Sequence, residues 1–385
     1  MNFTKLTEFL ENDVMEMGVP GCDIAIYKDH REIYRHTVGY DNLEKKTPLK
    51  KDVLYNLYSC TKVATCTAAM QLVDSGKILI TEPLSKYIPE YENMTVKYKN
   101  EDGTVGVRPA KNPILIKHLF SMSAGFNYDI SSPAIKRVSE EKCGRATTLD
   151  IIRALAEEPL EFEPGTEYRY SLCHDVLGAL VEVVSGMRLG DYMKKYIFDP
   201  LGMVDTSFDC TPDKYARIAT EYSYDRKNKK AVEVSNTSNR YRLSIGTEYQ
   251  SGGAGLLSTV DDYILLADAL ANLGVGKNGK RILSSRAVNL MRQNQLDDFR
   301  LSQFRTKAHL MGYGYALGVR TNMLPESAGN LAPLGEFGWD GARSAYLSAD
   351  PENRLAVYYG QHLDGFHEIL HPRLRNVIYS CLDED

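Results

Sequence analysis

Apolar and polar positions begin to alternate at Cys22-Asp23-Ile24-Ala25-Ile26-Tyr27, and a strand-like pattern resumes along Glu32-Ile33-Tyr34-Arg35-His36-Thr37-Val38-Gly39. The polar link Lys28-Asp29-His30-Arg31 between them marks a turn, so this segment predicts a hairpin of two strands. From about residue 61 to 196 the apolar spacing becomes helical, broken by a turn-rich stretch around 93–113. Strand patterns return at 315–320, 344–348 and 354–359, and an apolar stretch from 369 to 382 closes the chain as a helix. Strands at both ends with helices between them predict an α/β (α+β) fold. One antiparallel sheet is built from both chain ends, flanked by helices, and carries a large, mainly helical insertion. The expected boundaries are 1–60 together with 250–385 for the sheet unit and 61–249 for the insertion. A cleft forms at such a junction, and clefts are where small-molecule sites usually sit. No internal repeat, low-complexity tract or flexible linker is present, which points to one integrated unit.

Composition narrows the partners. The chain of 385 residues is 43% hydrophobic and 25% charged, ordinary values for a folded protein able to bury one large or two medium cores. Its 46 Lys and Arg stand against 51 Asp and Glu, and a net charge of -5 makes no field that gathers nucleic acid or an anionic membrane. A small-molecule or peptide substrate is expected instead. The opening Met1-Asn2-Phe3-Thr4-Lys5-Leu6-Thr7-Glu8-Phe9-Leu10 lacks the basic and long apolar regions of a secretory signal, and no stretch approaches 18 uninterrupted apolar residues. The expected location is the cytoplasm. Seven cysteines at irregular spacing, without a C-x-x-C pair, read as reduced thiols.

Candidate chemistry starts at Ser59-Cys60-Thr61-Lys62, followed by the apolar run from Val63 to Val73. At the start of a helix, side chains three residues apart share a face, so a hydroxyl meets an amine. A serine hydroxyl is a poor nucleophile, and a lysine takes its proton only if desolvation or a neighbouring positive charge lowers the amine's pKa. The helix N-terminus adds unpaired N–H groups that favour developing negative charge. The pattern alone is weak, because Ser139-Glu140-Glu141-Lys142 repeats it inside a charged segment that reads as a solvated helix face. Cys60 lacks the three-residue relation to Lys62 and is the poorer nucleophile.

Two later segments corroborate Ser59. Glu163-Pro164-Gly165-Thr166-Glu167-Tyr168-Arg169-Tyr170-Ser171-Leu172 is a Pro-Gly turn and a polar loop leading into a helix, and a tyrosine fixed there can share a proton with Lys62 or hand one to a leaving group. Gly335-Glu336-Phe337-Gly338-Trp339-Asp340-Gly341-Ala342-Arg343-Ser344 is a glycine-punctuated strand approach, whose edge N–H can serve as an oxyanion donor. In this order, the three elements resemble the serine hydrolases related to class C β-lactamases, penicillin-binding D,D-peptidases and esterases of that fold. The segments from His118 to Phe126 and from Gly252 to Asp262 are similar to two further segments of that family, so the resemblance spans about residues 20–365.

The resemblance implies Ser59 as the acylated nucleophile, Lys62 as the base that activates it and Tyr170 as the proton shuttle. It implies the backbone N–H groups of Ser59 and Ala342 as the oxyanion hole, and no cofactor or metal. Lactamases of the family follow the tyrosine with x-Asn, where this chain has Leu172, and Trp339-Asp340-Gly341 replaces the usual Lys-Thr-Gly or His-x-Gly. The amide and the cation that meet a β-lactam are thus absent. Tyr-Ser without Asn, with Trp-x-Gly, looks most like the family VIII carboxylesterases, although these commonly carry Trp-Gly-Gly and Asp340 departs from that. Leu172, Trp339, Asp340, Gly341 and Arg343 are the expected substrate-binding residues. Arg343 either pairs with Asp340, the favoured reading, or replaces the missing cation and binds a carboxylated substrate.

The expected function is therefore a serine hydrolase of carboxylesterase type that works through a covalent acyl-enzyme on a small ester, amide or lactam. β-Lactamase, D,D-peptidase or D-aminopeptidase activity is the alternative. A binding module of another class would acylate at Ser59 and release nothing. The rival motif is His367-Glu368-Ile369-Leu370-His371, an H-E-x-x-H that could hold zinc on a helix. Pro372 makes helix continuation past His371 awkward, and little chain remains to give a third ligand. A complete G-x-S-x-G elbow is absent, since Ser121 stands where Ser123-Ala124-Gly125 needs a preceding glycine. Oligomeric state is not legible.

Overall fold

A computed structural model describes residues 1–234, 245–365 and 367–383, without the side chains of His367 and Glu368. The N-terminal hairpin forms as expected: β1 (Gly21–Lys28) pairs antiparallel with β2 (Arg31–Asn42), and short β3 (Thr47–Pro48) extends the edge. The C-terminal half adds β4 (Tyr313–Tyr315), β5 (Arg320–Asn322), β6 (Phe337–Asp340), β7 (Tyr346–Asp350) and β8 (Leu355–Gly360). The order across the sheet is β4-β5-β6-β7-β8-β1-β2-β3, so β1 and β8 join the two chain ends at its centre. Every pairing in it is antiparallel.

Both faces of this sheet are covered, which is why β1 and β8 are buried almost throughout. On β1, Ala25 and Tyr27 join the core shared with the Val260–Ala271 helix, whereas Cys22, Ile24 and Ile26 join a second core on the opposite face. That second core takes Leu6 and Leu10 from the N-terminal helical segment and Leu370, Leu374 and Ile378 from the C-terminal helix. The alternation follows the two-residue period of a strand. The Thr61–Asp74 helix lies inside the larger core and is buried nearly all round, Lys62 included.

Three local expectations are corrected. The turn-rich stretch around 93–113 holds a hairpin, Thr95–Lys99 paired with Val105–Pro109, closed by Gly103 N–H donating to the Asn100 carbonyl. Its period-2 signal is interrupted by Gly106, over which the Tyr98 ring packs. The run 315–320 is two strands joined by a tight turn, because Gly318 at φ +87° reverses the chain where a side chain would strike Cys66 of the central helix. The C-terminal helix runs His367–Leu382 straight through Pro372. The proline removes one backbone donor, and burial of Leu370, Leu374, Ile378 and Cys381 holds the helix together. No helix among the described residues is long and apolar enough to cross a membrane.

Two buried histidines are held neutral. Burial pushes His118 down to about 4 and His174 to about 3 from the ordinary 6.5. Between those values and 6.5 the unfolded chain binds protons that the folded chain does not. The stability that depends on neutral rings is therefore complete above pH 6.5 and is lost as pH falls, by about 1.4 kcal/mol per pH unit for each ring. His118 Nδ1 accepts the Leu115 N–H at 3.1 Å, a bond a glutamine oxygen can also accept. His118→Gln is expected to flatten the decline of the urea midpoint between about pH 6 and 4.5. A slope equal to wild type would show that His118 does not resist protonation.

Candidate active site

Ser59 sits in the tight helical turn Tyr58–Cys60, which runs directly into the Thr61–Asp74 helix. Tyr58 has φ +44°, a left-handed conformation costly for a bulky residue, and this presents Ser59 at the helix N-terminus. The turn is braced from outside: Tyr58 Oη donates to Glu221 Oε1 at 2.6 Å, and Asn56 Nδ2 donates to the same oxygen at 2.9 Å. Glu221 is itself buried and meets Arg343 Nη2 at 3.7 Å.

One helical turn on, Lys62 Nζ donates to Ser59 Oγ at 3.2 Å and to the Gly253 carbonyl at 2.6 Å. From the loop after Pro164-Gly165, Tyr170 Oη donates to Ser59 Oγ at 2.6 Å and accepts from Trp339 Nε1 at 3.3 Å. The Tyr170 ring is sandwiched, with Tyr128 stacked at 5.7 Å and Trp339 at 5.9 Å. Lys62 Nζ lies 4.6 Å from the Tyr170 ring centre and 5.6 Å from that of Tyr128. The fold thus brings Ser59, Lys62, Tyr170 and Trp339 together from three separate segments.

The electrostatics differ from the expectation for Lys62. Burial disfavours its ammonium form, but the negative charge that Tyr128, Tyr170 and Asp175 can carry outweighs burial and raises the amine above its ordinary value. Lys62 therefore rests as a cation. Cys60 is excluded by geometry and charge alike: its Sγ is buried against the Trp339 carbonyl at 3.5 Å, and desolvation pushes the thiol well up.

Ser59, Tyr170, Trp339, Asp340, Gly341 and Ala342 line a cavity of about 380 Å³. Its far wall comes from the segment around Leu310 and from His371 and Arg375 of the C-terminal helix. The turn after β6 is closed by Gly341 N–H donating to the Ala345 carbonyl and Ser344 N–H donating to the Gly341 carbonyl. The Ala342 N–H takes no part in these bonds, and Ala342 lines the same cavity as Ser59.

Two expected substrate contacts lie elsewhere. Leu172 is buried at the start of the Cys173–Ser185 helix and does not line the cavity. Arg343 pairs with Asp364 at 3.2 Å and with Glu221, and donates to the Tyr222 carbonyl at 3.1 Å, so it supports the Tyr58 turn from behind. It does not pair with Asp340. Arg320, fully buried, takes that place at 2.9 Å, with His371 Nδ1 at 3.6 Å from the other carboxylate oxygen. Burial opposes the charge on Asp340, but Arg320 and His371 outweigh it and hold the carboxyl well below its ordinary range. His371 Nε2 donates to the Ser344 carbonyl at 3.0 Å, while the side chains of His367 and Glu368, the rest of the H-E-x-x-H motif, lie outside the described residues.

Tyr128 and Arg320 belong to no motif and were not expected from the sequence. Gly253 stood in a segment noted only for its resemblance.

The beta-lactamase family model matches residues 6–375, and the chain belongs to the beta-lactamase family. Protein Rv1367c of Mycobacterium tuberculosis is 29% identical over 355 residues, covering 90% of this chain and 87% of its own. Esterase EstB of Burkholderia gladioli is 27% identical over 385 residues, covering 93% of this chain and 90% of its own. The solved structure of Simvastatin Synthase (LovD) from Aspergillus terreus superposes with a TM-score of 0.80 at 23% identity, covering 99% of this chain and 98% of that one, a likeness of fold.

Proposed function

We propose that the protein is a serine carboxylesterase that works through an acyl-enzyme on Ser59. The observation that carries this reading is the convergence of Lys62 and Tyr170 on one serine oxygen, at 3.2 and 2.6 Å, at the edge of a cavity. Lys62 and Tyr170 act together as a base with a single mobile proton, in the form where the lysine is an ammonium and the tyrosine a phenolate. As Ser59 Oγ attacks the acyl carbon, its proton passes along the 2.6 Å contact to Tyr170 Oη. The N–H groups of Ser59 and Ala342 receive the developing oxyanion. Tyr170 then protonates the departing alkoxide, which leaves as the alcohol. Water repeats the sequence: its proton goes to Tyr170, its oxygen bonds the acyl carbon, and Ser59 departs with the proton as the acid is released.

The ester is preferred to a β-lactam because of what the third segment lacks. Where a cation is usual, this chain has Trp339 stacked on Tyr170 and Asp340 neutralised by Arg320. The similarity to Esterase EstB supports the same choice. We assign residues 1–60 with 250–385 to one unit and 61–249 to the other, since the cavity takes Ser59 and Ala342 from the first and Tyr170 from the second. Incubation with short-chain p-nitrophenyl esters and, separately, with a chromogenic cephalosporin tests the reading. Ester turnover with no cephalosporin hydrolysis is expected, and the reverse pattern overturns it. A mass shift on the protein with no steady-state turnover would identify an acyl-binding module instead.

A further inference from the structure

The Cys173–Ser185 helix, which follows the Tyr170 loop, carries a fully buried aspartate that the reaction above does not use, Asp175. Its Oδ1 accepts two hydrogen bonds, from Tyr249 Oη at 2.6 Å and Ser251 Oγ at 2.6 Å. Its Oδ2 has no hydrogen-bond partner among the described residues. A buried carboxylate oxygen in that condition costs free energy unless a nearby opposite charge compensates it. Lys62 is that charge. A Cβ placed on Gly253 would lie 2.5 Å from Asp175 Oδ2 and 3.5 Å from Lys62 Nζ, so the two groups face each other across the space one methyl would fill. Gly253 keeps that space open while its carbonyl accepts from Nζ.

We propose that Asp175 is a positioning residue that fixes Lys62 as the ammonium and thereby directs the proton of Ser59 to Tyr170. The inference rests on the seryl acyl-transfer reading. Among the described residues, the groups that interact electrostatically with Lys62 are Tyr128, Tyr170, Asp175, His174, Cys60, Cys66 and Cys173. Burial and Lys62 push His174 down to about 3, and burial raises all three thiols, Cys173 to about 11, so these four are neutral at working pH. Asp175 is the one carboxylic acid of the set. Without its charge, burial governs the amine, and the Lys62–Tyr170 pair gives up its first proton more readily.

The active pair is the one short of a proton, so easier loss moves the acidic limb of kcat/KM to lower pH. Asp175→Asn in the full chain, assayed with a short-chain p-nitrophenyl ester, is expected to shift that limb down by about one to two pH units. A role confined to packing would lower activity or stability at every pH and leave the limb in place, and an unmoved limb overturns the proposal. Should the amide variant not fold, Gly253→Ala drives a methyl against Oδ2 and is expected to shift the limb in the same direction. An unmoved limb there is equally fatal. Labelling with a fluorophosphonate separates the two readings. Wild type that takes no label at Ser59 defeats the acyl-transfer reading and this inference with it. Normal labelling with an unmoved limb defeats only the role of Asp175.

Discussion

Ser59→Ala is expected to abolish acylation and to lower ester turnover on the order of 10⁵- to 10⁶-fold, to the residue left by binding and the oxyanion donors. The size follows from the geometry. Ser59 Oγ is the atom on which Lys62 and Tyr170 both converge, and the left-handed Tyr58 aims it at the cavity. No neighbouring nucleophile substitutes for it: Cys60 is fully buried against Trp339, and the second S-x-x-K serine, Ser139, lies on the Pro133–Glu141 helix, outside the cavity. Intact mass after incubation with an activated ester checks the result directly. Wild type is expected to gain one acyl group and the variant none. A variant that still acylates, or that retains full turnover, would place the chemistry at another residue. Folding is not at issue, because alanine deletes a single partly exposed oxygen at a helix start.

How much of this was readable beforehand depended on whether the signal was local. The Tyr170 loop and β6 each carry short-range punctuation, a Pro-Gly or a glycine flanking the chemistry, and the nucleophile turn carries the three-residue spacing of Ser59 and Lys62, so each stands out in the sequence. The sheet of both chain ends was legible for a similar reason. Short runs rich in apolar and aromatic residues mark β1 and the late strands β7 and β8, and only one order of joining the ends leaves an insertion between them. What failed was partner choice across the fold. Arg343 stands three residues from Asp340, which made a pair plausible, but they sit on either side of a tight turn and point apart. Arg320, on the neighbouring strand β5, is directly across from β6, with its Cα paired to Gly338. Nothing in the spacing of residues 320 and 340 announces a buried ion pair.

The same limit hid the charge state of Lys62. Sequence shows a lysine at the start of an apolar helix, and burial alone predicts a lowered pKa. Tyr128 and Asp175 reverse that, and they come from segments 66 and 113 residues away in the chain, about which local pattern says nothing. Leu172 illustrates the converse. Its identity distinguishes this chain from lactamases of the family, but it does so by filling core rather than by touching what enters the cavity.

If Lys62 and Tyr170 share one proton, they fail together. Lys62→Met and Tyr170→Phe are each expected to lower kcat/KM by roughly 10²- to 10⁴-fold, the range for a lost general base. Removing the ammonium leaves Tyr170 without the charge that stabilises its phenolate. Removing the hydroxyl leaves Lys62 a cation that cannot accept a proton from Ser59. Each change therefore disables the whole pair, and the double variant is expected to cost about as much as the worse single one. Independent contributions would instead multiply, driving the double variant toward the level of Ser59→Ala. The alternative of a free lysine base makes a different forecast: Tyr170→Phe would then slow leaving-group protonation alone and fall least on esters with good leaving groups. Comparing p-nitrophenyl with alkyl esters across the three variants decides between them, since a shared proton predicts equal loss of acylation for Lys62→Met and Tyr170→Phe even when the departing group needs no proton. A Lys62→Met loss below about tenfold would remove the lysine from the base altogether.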